Sequence, residues 1–249
     1  MIIIKPLAII KNKENLQNAL QQIEYAARIS HRSEEDMNVN KTKDFIQRVI
    51  IDRGDWSVTE HVSAQVEFIM ERAISLETVR HRLFSYTQES QRFVNYKNKM
   101  RLSFIYPKPD IQCKHCLDGD EPTRINDFEY KHTLGGQLAH FNSIPCSYDP
   151  HWLYSIEKAE KSYISLLERG WRPQEARSVL PNAASTKILM TGNLRSWRHF
   201  FLMRTTKQAH PQMREITIPL LEEFKQLIPV LYDDILPNSI QIENVRKGS

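Results

Sequence analysis

Between residues 62 and 68 the side chains alternate. Val62, Ala64, Val66 and Phe68 stand against Ser63, Gln65 and Glu67, and this period of two dictates a half-buried β-strand. On both sides of it the apolar residues return every three or four positions instead. Leu16, Leu20, Ile23 and Ala27 predict an amphipathic helix over 14–29, after a short apolar strand at Ile2 to Ile4. Phe45, Val49 and Ile50 predict another helix over roughly 41–52, stopped at Gly54. After the strand, Ser75 is placed to cap a helix with Leu76, Val79 and Leu83 on one stripe. Trp152, Ile156, Ala159, Tyr163 and Leu167 predict a helix ending at Gly170, and Pro173 opens a short one that Pro181 closes. A strand is expected at 185–191, a helix over Leu194 to Arg204 with Leu194, Trp197 and Phe201 inward, and a last helix from about Pro219 to Leu227. Interleaved periods of this kind specify a mixed α/β (α+β) protein.

Between these regions, 107–151 loses its periodicity and collects Pro, Gly, Asp, His and all three cysteines, which reads as a long irregular insertion. The length of 249 residues admits one domain with insertions or two. Three cysteines make no disulfide framework, no apolar run is long enough for a bilayer, and Met1-Ile2-Ile3-Ile4-Lys5 lacks the layout of a signal peptide. The expectation is a reduced, cytoplasmic protein. Cys113 and Cys116 form a CxxC pair that Cys146, with His132, His140 or His151, would complete as a zinc site; reduced, unliganded cysteines are the alternative. A net charge of +4 does not mark a nucleic-acid binder, though it suits anionic small molecules where basic groups converge.

They converge between Arg80 and Arg92. Arg80, His81 and Arg82 are followed by Ser85, Ser90 and Arg92. Arginine offers a planar fork of donors that matches phosphate, and serine hydroxyls satisfy the remaining lone pairs. The trio is expected in the last turn of its helix, so charge that merely complements the helix dipole is the alternative. Neither a P-loop nor a dinucleotide fingerprint is present.

The pattern Arg80-His81-Arg82-x-x-Ser85-x-x-x-x-Ser90-x-Arg92 resembles the RHRxxSxxxxSxR signature of the flavin-dependent thymidylate synthases, the ThyX family. Ser57-x-x-Glu60-His61 resembles a second element of that family, Glu175-Ala176-Arg177-x-Val179-Leu180-Pro181 a third, and Asn193-Leu194-Arg195-Ser196 with the helix through His199 to Arg204 a fourth. They stand in the family's order and cover most of the chain outside 107–151. The resemblance implies one catalytic domain over 1–249, with a central, mostly antiparallel sheet flanked by helices, assembled as a homotetramer with shared active sites. It also implies methylene transfer from 5,10-methylenetetrahydrofolate to dUMP and reduction by FADH2, with NADPH recharging the flavin.

Residue by residue, Arg204 corresponds to the arginine that stabilises charge developing on the pyrimidine. Ser57, Arg80, His81, Arg82, Gln88, Asn193, Leu194, Arg195 and His199 correspond to the flavin site. Glu77, Arg80, Gln88, Glu89, Ser90, Gln91, Arg92, Arg177 and Arg204 correspond to the dUMP site. Read without the family, His199 can pack beside Trp197 or Phe200, Arg177 can form a surface ion pair, and Glu60-His61 can cap the start of the strand. Pro145-Cys146 superficially resembles the nucleophile of the unrelated classical thymidylate synthase, but its surroundings do not fit. The chain departs from the family at Thr87-Gln88, where many members have Asn-Glu, at Glu77, often glutamine, and near Asp55, often histidine. The first two departures suggest a carboxylate and an amide exchanged around one nucleotide contact. A related enzyme that modifies pyrimidine C5 differently, and a nucleic-acid-binding module, are the rival readings.

Overall fold

The computed structural model describes residues 1–97, 101–107, 149 and 151–238 in full, and the backbone of residue 150 and of two strands at 130–134 and 137–141. The strands are β1 (Ile2–Ile4), β2 (Leu7–Ile10), β3 (Ser63–Glu71), β4 (Ser85–Gln88), β5 (Ser103–Ile105), β6 (Tyr130–Leu134), β7 (Gln137–Phe141) and β8 (Ser185–Asn193). The helices are α1 (Lys13–Gln17), α2 (Ala19–Ile29), α3 (Thr42–Ile46), α4 (Arg72–Thr78), α5 (Pro150–Glu168), α6 (Pro173–Ala176), α7 (Leu194–Arg204) and α8 (Pro211–Leu227). Two compact units result. The first holds Met1–Pro6, Ile69–Leu76 and the described part of Gln88–Lys187; the second holds Leu7–Phe68, Glu77–Thr87 and the residues from Ile188 on.

The class is mixed α/β as expected, but the strands form two four-stranded sheets, in the orders β5-β1-β6-β7 and β2-β3-β8-β4. In the first sheet β1 runs parallel to both neighbours, Ile3 opposite Phe104 on one side, while β6 and β7 are antiparallel. The stretch expected to be irregular therefore contains two strands. β7 pairs with its neighbour β6, and β6 with β1, more than a hundred residues away, a pairing that no local periodicity reports. In the second sheet, Leu194 N donates to Val62 O at one end of β3, and Arg72 N to Ala184 O at the other, so β3 and β8 are antiparallel. The alternation read from 62–68 is realised: Ala64, Val66, Phe68 and Met70 are buried along β3.

The first unit packs Tyr96, Leu102, Phe104, Ile156, Tyr163, Ala176 and Ala184 into one cluster. The second is built around aromatic rings. Trp197 lies 5.4 Å from Phe200 and 5.4 Å from Phe224, and Phe224 stands 5.0 Å from Phe201. Burying such a side chain contributes about 1.5–3 kcal/mol, and the indole N–H of Trp197 is satisfied by Ala64 O at 3.1 Å. Gly192, on β8, lets the Phe84 ring lie against the backbone; a Cβ there would sit well inside van der Waals contact with that ring.

Several helix boundaries differ from the sequence reading. The helix over 14–29 breaks at Asn18, which leaves helical geometry (φ −103°, ψ 13°), as a short polar side chain with weak helix preference allows. The helix over 41–52 continues from α3 as a π-helical turn, Gln47–Asp52, and ends at Gly54 with φ 86°. Helix α4 begins at Arg72, so Ser75 is inside it, its hydroxyl bonded back to Arg72 O at 2.7 Å, rather than at its cap. Of the expected stripe only Leu76 lies in it, and that residue is exposed; Val79 and Leu83 follow its end. The final helix starts at Pro211, and Pro219 is interior to it; the buried Met213, Ile216, Leu220 and Phe224 keep one apolar face across the proline.

Candidate active site

Helix α7 organises the second unit. Asn193 is its N-cap, with Oδ1 accepting from Ser196 N at 2.8 Å. Leu194 is fully buried; its N–H goes to Val62 O at 3.0 Å and its carbonyl accepts from Tyr232 Oη at 3.0 Å. Both are expected at the flavin; in the fold, Asn193 Oδ1 starts the helix and the Leu194 backbone fastens it to the sheet and core. Further along, His199 is exposed and Arg204 is the last helical residue.

Arg204 is held at all three guanidinium nitrogens. Nε donates to His81 Nε2 at 2.9 Å, Nη1 to Glu77 Oε2 at 2.9 Å and Nη2 to Glu77 O at 3.0 Å. Accepting from Nε requires an unprotonated Nε2 on His81, and the surroundings enforce it. Burial, then the charges of Arg204 and His199, lower the His81 pKa to about 4. Of the guanidinium's five N–H groups, three are engaged in this way, and roughly two stay free for a ligand oxygen. His81 also packs edge-on to Phe200 at 5.0 Å, which fixes its ring plane.

The trio Arg80-His81-Arg82 follows α4 instead of closing it, because the helix ends at Thr78. Turn bonds from Arg80 N to Glu77 O and His81 N to Thr78 O carry the chain round. Tyr86 then ties the turn, its hydroxyl lying 2.9 Å from Thr78 O and 2.8 Å from His81 O; burial raises its pKa to about 12, so it remains a donor. Sequence reasoning missed Tyr86, which looks like any strand aromatic. The result is a cavity of about 360 Å³. Arg80, His81, Arg82 and Arg204 supply its polar wall, and Leu83, Phe84 and Met203 its apolar one, with Ser196 and His199 completing the lining. Ser57 stands exposed on the helical turn Trp56–His61, which two α7 arginines hold. Arg195 Nη1 bonds Glu60 Oε1 at 2.7 Å, and Arg198, bound to Asp234, lies over the Trp56 ring at 4.3 Å. Glu60 thus serves as an anchor for Arg195.

In the first unit the segment after β4 makes a second cluster. Gln88 turns inward, its amide nitrogen at 2.8 Å from Ser75 Oγ and 3.2 Å from Thr186 Oγ1. Glu77 is bonded to Arg204 and Gln88 to these hydroxyls. Glu89 accepts from Tyr96 Oη and from Lys187 N. Gln91 is buried, while Arg92 is exposed with its guanidinium 5.5 Å from the Phe93 ring centre. Arg177 lies on a helical turn after α6, Nε donating to Gln174 O at 3.2 Å, with no ion pair to an acid of the described residues. The zinc candidates Cys113, Cys116 and Cys146 lie outside the described residues. Among the described residues there is no cluster of potential metal ligands and no helix long and apolar enough to cross a membrane.

Residues 13–230 match the family described as thymidylate synthase complementing protein. A Mycobacterium tuberculosis protein named flavin-dependent thymidylate synthase is 31% identical over 214 residues, covering 85% of this chain and 78% of that protein. Proteins of the same name from Mycobacteroides abscessus and Corynebacterium efficiens are 32% identical over 218 residues and 30% over 231 residues. The first match covers 85% of this chain and 78% of that protein, the second 91% and 82%.

Proposed function

This chain belongs to the thymidylate synthase complementing protein family, the flavin-dependent thymidylate synthases, and on that premise we propose that it converts dUMP to dTMP with FAD as its flavin, 5,10-methylenetetrahydrofolate as methylene donor and NADPH as reductant. The observation that carries this reading is Arg204, a clamped cation on the wall of a cavity that also carries Arg80 and Arg82. The residues fit a flavin. Two exposed arginines suit a diphosphate, and the Leu83, Phe84 and Met203 wall suits a flat ring. When bound, the flavin supplies the hydride.

The chain's own residues then have separable tasks. Arg204 remains protonated and directs its free N–H groups at oxygen, where negative charge on the pyrimidine develops. His81 stays neutral and holds the guanidinium plane through Nε, while Glu77 restrains the other end. Arg80, Arg82, Ser57 and His199 bind flavin, and Ser90, Gln91, Arg92 and Arg177 bind the dUMP phosphate and sugar. No protein nucleophile is required by this chemistry. We take the chain as one catalytic domain, cytoplasmic and homotetrameric.

Purified protein should be yellow or turn yellow with added FAD. It should oxidise NADPH only when dUMP and methylenetetrahydrofolate are both present, and mass spectrometry should identify dTMP. A colourless protein that takes up no FAD would sink the proposal, and a different product mass would redirect it. Light scattering that gives a monomer at micromolar concentration would remove the tetramer.

A further inference from the structure

Glu89 stands inside the stretch that faces the nucleotide, yet its carboxylate is turned inward. Oε1 accepts from Tyr96 Oη at 2.8 Å and Oε2 from Lys187 N at 3.3 Å, while Glu89 N donates to Lys187 O at 2.8 Å. Tyr96 is 6% exposed and packs in the core cluster with Phe104 and Ile156, its ring 5.9 Å from Tyr163. Burial and the neighbouring carboxylate both raise its pKa, so the phenol stays a donor. Between these two residues the chain makes one tight turn. Ser90 O accepts from Phe93 N at 3.1 Å and Val94 N at 3.0 Å, and Ser90 Oγ accepts from Arg92 N at 3.3 Å. The turn is therefore fastened to the β8 backbone at its start and seated in the core at its end, and the Glu89–Tyr96 bond closes it.

A carboxylate beside a phosphate monoester would repel it, which makes Glu89 a poor ligand for the nucleotide. Engaged on both oxygens from the protein side, it does something else. We propose that Tyr96 is a positioning residue, and that its bond to Glu89 is the brace that presents Ser90, Gln91 and Arg92 to the nucleotide phosphate. Ordering this turn before the ligand arrives lowers the entropy lost on binding. The brace acts on dUMP affinity and leaves the chemical step alone. This inference rests on the reading that residues 90–92 bind dUMP.

The test uses full-length protein loaded with FAD, and compares Tyr96→Phe, Glu89→Ala, the double variant and Arg92→Ala. Equilibrium dialysis gives the Kd for dUMP independently of turnover, and steady-state rates give KM and kcat. Tyr96→Phe should weaken dUMP binding and raise its KM by about fivefold to tenfold, the effect of one lost hydrogen bond. Its kcat at saturating dUMP should stay within about twofold of the parent. Glu89→Ala should cost much less in the Tyr96→Phe background than alone, because the two act through one bond. If Arg92→Ala weakens dUMP but neither Tyr96→Phe nor Glu89→Ala does, the brace is wrong and the nucleotide reading stands. If Arg92→Ala leaves the Kd unchanged, the nucleotide reading itself falls and the brace falls with it. A kcat loss at unchanged Kd also overturns the brace. Should Tyr96→Phe fail to fold, Glu89→Ala alone decides, since it removes the acceptor and keeps the aromatic ring in the core.

Discussion

Arg204 shows how much a single side chain in this protein owes to its neighbours. An arginine needs no help to stay charged, but it needs help to stay still, and His81 and Glu77 supply that from one turn. Lysine would keep the charge and lose the planar fork. Arg204→Lys should therefore lower kcat by about a hundredfold or more, the usual effect of removing a preorganised donor, while FAD absorbance is retained. Equal losses of flavin and of rate would assign Arg204 to cofactor binding instead. His81 makes a second prediction. Its pKa falls from 6.5 to about 4 in the folded chain, so between those values the unfolded chain binds more protons. Its contribution to stability is intact above 6.5 and is lost as the pH falls toward 4. His81→Gln keeps an acceptor for Arg204 without the titration, so thermal unfolding across that range should be less acid-sensitive in the variant. Identical pH slopes would show that another group titrates. Legibility at this scale was uneven. The sequence pattern named Arg204 and His81, but not that one holds the other, because the bond spans 123 positions.

At the level of elements, α7 is the part on which both the cavity and the core depend. Its cap, Asn193, was expected to touch flavin, and the structure gives it a local task. The two roles separate experimentally. Asn193→Ala should reduce stability by about 1 kcal/mol in denaturant unfolding, and Asn193→Asp should reduce it far less, since aspartate caps as well. If both variants bind FAD poorly at unchanged stability, the residue is a ligand contact after all. Helix α7 was legible to the residue, from Leu194 to Arg204, because Leu194, Trp197 and Phe201 keep one helical period inward along it. Helix α4 was misjudged by several residues. Ser75 has the chemistry of a cap, but its hydroxyl is satisfied inside the helix by Arg72 O and by the Gln88 amide, one of them supplied from the next strand.

For the molecule as a whole, ligand binding and stability are linked. A flavin that binds only the folded chain adds about 2.7 kcal/mol at a hundredfold excess over its Kd, so FAD should raise the thermal midpoint by several degrees. A midpoint indifferent to FAD would count against the cavity as its site. What the sequence alone determined was whatever depends on near neighbours: the alternation of β3, the stripe of α5, the stops at Gly54 and Gly170, and the ordered signatures that name the family. Tertiary structure decided the rest. It set two sheets where one was expected, paired β1 with a strand from the 107–151 stretch, turned Glu89 and Gln88 inward, and gave Tyr86 and Tyr96 their work. The reason is physical. Periodicity and capping are set within about one helical turn of chain. Which carbonyl, carboxylate or ring a buried polar group meets is settled only when distant segments are packed together and every such group must find a partner.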